Sequence, residues 1–152
     1  DHIGDNAEAV IATGATLAVH VADRHGLENP DPMSAPFAIP PSIPALDLAE
    51  GSRIRFGDID LTVLHTPGHT EGSVCLLSEE NRVLISGDTL FAGGWGRTDL
   101  PGGDAEMMVD SLSRLATLEP GLTVLPGHGT ETTIARELAW LQTVAQERKL
   151  PF

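Results

Sequence analysis

A single cysteine, Cys75, leaves no partner for an internal disulfide and suits a reducing compartment, so a cytoplasmic location is expected. Basic residues are also scarce, with 9 lysines and arginines against 22 acids and a net charge of −13. Such a surface repels phosphate backbones, which argues against nucleic acid as a partner. No uninterrupted apolar run approaches the roughly eighteen residues of a membrane span, so no membrane is expected as a partner either. No signal peptide, internal repeat or Gly-x-Ser-x-Gly elbow is visible, so nothing calls for a serine nucleophile. What remains is 152 residues, 41% of them apolar, the length and composition of one domain with a two-layer core.

Periodicity orders the chain. Residues 3–13 read as a short helix stopped by Gly14, followed by a β-type run at 16–20 and a turn or brief helix in "ADRHGL". Six prolines between 30 and 44 exclude ladder and helix alike, and a loop at the rim of a site is expected there. From 53 onward the period is two. Strands are expected at 53–56 and 59–65 around a Gly-Asp turn, then at 73–78 and 82–86. Met108, Leu112 and Leu115 mark a helix over 104–118, "LTVLP" a further strand, and Ile134, Leu138 and Leu141 a closing amphipathic helix. This order of elements predicts layers of sheet and helix in an α/β arrangement.

The histidines separate into two groups. His2 in "DHIGD", His69 in "HTPGHT" and His128 in "PGHG" each have glycine within two residues and stand at the end of a strand or the start of a helix. Asp88 in "ISGDTLF" has the same setting. Strand ends project side chains into a shared cleft while the sheet holds them still, and a neighbouring glycine permits close backbone approach. Any one of these residues alone would be an ordinary surface group. Together, imidazoles and carboxylates in this setting point to a metal site of hydrolytic type. His20 and His25 read as structural, and Cys75 as a small buried hydrophobe. His65 either orients a neighbour or does nothing, and Trp95 either walls a pocket or pins a loop.

With these residues in view, the stretches "DHIGD", "HTPGHTEGSVCL", "ISGDTLF", "GRTDLPGG" and "LPGHGTETTI" resemble, in order, the metallo-β-lactamase superfamily and its glyoxalase II-like hydrolases. The pattern around "PGHG" is closer to the glyoxalase group than to β-lactamases. The family's opening motif is His-x-His-x-Asp-His, of which Asp1 and His2 match the last two residues, so the chain begins inside a metal-binding motif. The resemblance implies a four-layer αββα sandwich, present here as a single domain over 1–152 that lacks the first strands of its first sheet. A sheet edge and apolar surface would then be exposed. It also implies two zinc ions, with iron or manganese as alternatives. Asp1, His2 and His128 would hold one ion, His69 the other, and Asp88 would bridge them.

The implied activity is hydrolysis of a thioester such as an S-acyl-glutathione by a metal-bound hydroxide, with Asp1 and Asp88 as the catalytic carboxylates. Glyoxalase II proper carries a longer helical segment after this point that helps hold glutathione, which leaves the thiol carrier open. "GWGRTD" also resembles the iron-dependent persulfide dioxygenases of the superfamily. A third expectation, of another class, is an inactive fragment whose exposed edge takes a complementing chain or a second copy.

Overall fold

The computed structural model describes residues 2–31 and 38–151. The chain divides into two compact units, 1–48 and 49–152.

In the first unit, helix α1 (Asn6–Thr13) ends on Gly14, whose φ of 68° lets the Gly14 N–H reach the Val10 carbonyl. Strand β1 (Ala18–His20) pairs in parallel with β2 (Leu46–Leu48). A 3₁₀ turn (Val21–Asp23) and helix α2 (Arg24–Glu28) lie between them in sequence. Arg24 holds the unit together: its guanidinium donates to Asp47 on β2, to Glu28 and to the Pro44 carbonyl. His20 is buried, and its Nδ1 accepts the Ala22 N–H, the structural role its sequence context suggests.

The second unit is built on one six-stranded sheet. Strands β3 (Arg53–Phe56), β4 (Ile59–His65), β5 (Val74–Ser78) and β6 (Val83–Gly87) form an antiparallel run. A small hairpin follows, β7 (Leu90–Phe91) with β8 (Gly94–Trp95), then helix α3 (Ala105–Leu115). Strand β9 (Thr123–Pro126) adds parallel to β6, β10 (Thr132–Thr133) closes the sheet edge, and helix α4 (Ile134–Glu147) ends the unit. The helices are properly begun. Asp104 accepts the Glu106 and Met107 N–H groups, and Thr133 accepts that of Arg136.

Period two decides which side chains meet the helices. Leu64, Cys75, Leu77, Leu84 and Val124 share one face and form the core with Met108, Leu112, Leu115, Ile134, Leu141 and Val144. The alternate positions Val63, Leu76, Ile85 and Leu125 align in register across four strands on the opposite face, where Ile85 and Leu125 are each 38% exposed. Cys75 is fully buried, as its mid-strand position suggests, and burial pushes its thiol up to about 11. A thiol held protonated in this way is no nucleophile. In α4 the buried stripe runs Ile134, Glu137, Leu141 and Val144; Leu138 is only half-buried, displaced from the core by a carboxylate.

One ionic network ties α3 to the sheet. Arg114 donates to both oxygens of Glu50 and to the His65 carbonyl, while the His65 N–H donates to Glu50. The Arg114 bonds lower the Glu50 carboxyl from 4.5 to about 2, with the His65 N–H adding to them against the cost of burial. Because the folded value lies below the ordinary one, the network's contribution is complete above pH 4.5 and fades as pH falls towards 2. Glu50→Gln should therefore lower the thermal midpoint at neutral pH, with the gap to the parent chain closing across that acid window. A gap of constant size from pH 6 to pH 2 would contradict the network.

Candidate metal centre

Strand direction gathers the site. β4 runs antiparallel to β5 and β5 to β6, so β4 and β6 point the same way; β9 is parallel to β6. The carboxyl ends of β4, β6 and β9 therefore lie along one edge of the sheet. His69 follows β4 by four residues, Asp88 follows β6 directly, and His128 follows β9 by two. Their side chains meet there. Asp88 Oδ2 lies 3.5 Å from His69 Nε2 and 3.3 Å from His128 Nε2.

These separations decide what the cluster is suited to hold. A charge-assisted N–H···O bond is about 2.7–2.9 Å long, clearly shorter than either distance. Ligands about 2.0–2.1 Å from a common ion at the tetrahedral angle stand about 3.3 Å apart. The tautomer agrees: His69 Nδ1 lies 2.8 Å from the Arg97 carbonyl, which can only accept, so Nδ1 carries the proton. In the neutral ring Nε2 then presents a lone pair towards the carboxylate, an arrangement that a cation relieves. A backbone carbonyl behind a ligating imidazole is the usual partner that sets ring orientation and basicity. The donor set fits a divalent metal.

The site is built tightly around Asp88, whose side chain is 6% exposed. A Cβ on Gly127 would stand 2.2 Å from Asp88 Oδ1, and one on Gly96 would stand 1.9 Å from the Asp88 carbonyl oxygen. Neither position has room for a side chain. Beneath the site, Thr66 and Thr89 share a hydroxyl–hydroxyl bond of 3.0 Å, joining the end of β4 to the residue after Asp88. The loop carrying His69 is fastened to α3 by Ser111, which donates to the Pro67 carbonyl, and by the Asp104 N–H, which donates to that of Gly68.

The sequence-predicted residues fall in different places. His69, Asp88 and His128 come together. His2 precedes α1 in the first unit, where it is exposed, and Asp1 lies outside the described residues. His65 Nε2 lies 2.9 Å from the Glu71 carbonyl and braces a loop. Trp95 pins its hairpin: its ring packs 5.8 Å from that of Trp140 on α4. Sequence reasoning passed over the hydroxyl pair, the edge-on contact of Phe91 with His128 at 5.9 Å, and Glu137. The signal for Glu137 was a carboxylate three residues after Ile134, on the apolar face of its helix.

Gly127→Ala displaces the Asp88 carboxylate by contact alone. Its zinc affinity, measured by chelator competition, is expected to fall by at least about tenfold with the circular dichroism spectrum preserved. An affinity equal to the parent's would refute the packing argument.

The model of the Metallo-beta-lactamase superfamily matches residues 1–128, a span that contains all three converging side chains. An uncharacterised protein of Aquifex aeolicus is 49% identical over 104 residues, which cover 68% of this chain and 49% of that protein. Hydroxyacylglutathione hydrolase GloC of Haemophilus influenzae is 39% identical over 58% of this chain and 42% of its own length. Acyl-coenzyme A thioesterase MBLAC2 of Gallus gallus is 39% identical over 82% and 44%, respectively. The chain thus spans about half the length of these relatives. Among solved structures, TTHA1623 in a di-iron-bound form superposes with a TM-score of 0.81 at 41% identity, covering 90% of this chain and 69% of that one. ETHE1 from Myxococcus xanthus does so with a TM-score of 0.74 at 32% identity, over 96% and 59%. The chain therefore belongs to the metallo-beta-lactamase superfamily.

Proposed function

We propose that this hydrolase-superfamily chain acts on thioesters through a metal centre. The observation that carries the reading is one carboxylate oxygen, Asp88 Oδ2, shared by two imidazole nitrogens at ligand-to-ligand spacing. In the proposed centre Asp88 would serve both ions, His69 would hold one, and Asp1, His2 and His128 would hold the other. Zinc is the first choice of metal, with iron or manganese as alternatives. Such an ion would lower the pKa of bound water to about 7, making a nucleophile available at neutral pH, and would polarise an acyl oxygen.

The residues of this chain do the rest. Asp88 holds the two halves of the centre in register through a single oxygen. His69, its Nδ1 proton committed to the Arg97 carbonyl, keeps Nε2 free of a proton and aimed inward. Asp1 would ligate the metal and help orient the attacking water. The names of GloC and MBLAC2 support a thioester substrate, one with glutathione and the other with coenzyme A as thiol carrier.

The likeness to ETHE1 and to a di-iron protein supports a second reading, an iron-dependent oxidation of a persulfide. Metal analysis and paired assays separate the two. Zinc with turnover of S-acyl-glutathione or acyl-coenzyme A is expected; iron with oxygen uptake on glutathione persulfide and no thioester turnover would overturn the first reading.

A second prediction concerns stoichiometry. The 152 residues supply four donor side chains to one ion, but only His69 and a share of Asp88 to the other. Loss of one outer hydrogen-bond partner weakens metal binding by about 10–100-fold, so a site short of direct ligands is weaker still. Zinc titration of the chain should give one tight equivalent and a second weaker by several orders of magnitude. Asp88→Ala should lose both, and a retained stoichiometric ion in that variant would contradict the bridge.

A further inference from the structure

We propose that Glu137, itself no ligand, is a positioning residue that holds the β7–β8 hairpin so that its two ends orient the His69 and His128 imidazoles. The inference rests on the metal-centre reading for its consequence, though its geometry stands alone.

Glu137 lies on the core face of α4, 5% exposed, with no basic side chain bonded to it among the described residues. A carboxylate in that position is costly unless its lone pairs are met by donors. Three donors from three elements meet them. Oε2 accepts the Gly93 N–H at 2.8 Å and the Trp140 indole N–H at 2.7 Å, and Oε1 accepts the Thr132 hydroxyl at 2.5 Å. Burial alone would raise this carboxyl, yet the donors outweigh it and leave it below the ordinary value. The group is therefore an anion at neutral pH, and one of its three bonds runs to the turn of the hairpin.

That hairpin touches His128 directly and leads into the segment that touches His69. Phe91, paired with Gly94 across it, presents its ring edge-on to His128. Beyond Trp95 the chain passes Gly96, packed against the Asp88 carbonyl, and reaches Arg97, whose own carbonyl takes the His69 Nδ1 proton. The ring contact between Trp95 and Trp140 fastens the second strand to the same helix that carries Glu137. A two-strand ribbon of two residues each has too few ladder bonds to hold its own shape. Glu137 supplies from α4 the restraint that the ribbon lacks. The Trp140 and Thr132 donors in turn fix the carboxylate, so α4, β10 and the hairpin turn are joined at one point.

The test uses the 152-residue chain and three variants, Glu137→Ala, Glu137→Gln and Trp140→Phe. Imidazole nitrogen NMR of metal-free protein reads the His69 tautomer, and chelator competition reads zinc affinity. Glu137→Ala should mix the His69 tautomers and weaken zinc by about 10–100-fold, the range for lost outer partners. Glu137→Gln should restore both, because its carbonyl accepts from Gly93 and Trp140 while its amide donates to Thr132, whose hydroxyl can turn to accept. A folded Glu137→Ala protein with the parent tautomer and zinc affinity within about twofold would overturn the proposal; a lowered thermal midpoint alone would mean a purely structural role and would overturn it too. If Glu137→Ala does not fold, Trp140→Phe takes its place: it removes one donor and should shift both readouts in the same direction, and no shift would be decisive against the idea. Should the parent chain bind no zinc, the metal reading fails, while the tautomer comparison still decides the role of Glu137.

Discussion

One carboxylate oxygen organises the side-chain cluster at the sheet edge. Asp88 Oδ2 stands between two imidazole nitrogens at distances too long for good charge-assisted hydrogen bonds and suited to a shared cation. Gly127 leaves no room for a β-carbon beside one carboxylate oxygen, nor does Gly96 beside the backbone carbonyl behind it. The sheet brings the donors together, because three strands of common direction end at one edge.

Around that point the polar groups form two tiers with different tasks. Beneath the sheet end, Thr66 and Thr89 link neighbouring strand termini through their hydroxyls, a short-range clamp inside an apolar surround. Further out, Glu137 gathers donors from α4, β10 and the β7–β8 turn. Buried polar networks of this kind favour a single arrangement because each unmet donor or acceptor would cost the full desolvation of its group. The apolar core beneath supplies most of the stability, while the networks select one geometry at the site. On the other sheet face the row runs from the fully buried Val63 to Ile85 and Leu125, which leave apolar surface outward at one end.

Much of the fold was legible in advance because it is periodic. The alternation in 53–65 and the Gly57–Asp58 turn marked β3 and β4 at the positions observed, and the spacing of Met108, Leu112 and Leu115 marked α3. Strands β7, β8 and β10 escaped notice since two residues carry no period. β2 escaped because it stands beside the proline-rich stretch and is held by parallel pairing and by Arg24, both long-range. In α4 the apolar stripe was read through Leu138, whereas the structure buries Glu137, a residue whose burial depends on donors supplied by other elements.

The sequence by itself determined which side chains were fit to bind a metal and where each stood relative to a strand or helix end, because residue chemistry and hydrophobic period are local properties. It also carried the family, through motifs whose glycines and histidines keep a strict order. Tertiary structure alone decided that His69, Asp88 and His128 share one oxygen, that a carbonyl sets the His69 tautomer, and that a glutamate on the last helix restrains the hairpin between them. Those facts depend on strand direction and on contacts between residues up to 44 positions apart, and no local pattern encodes a distance across the fold.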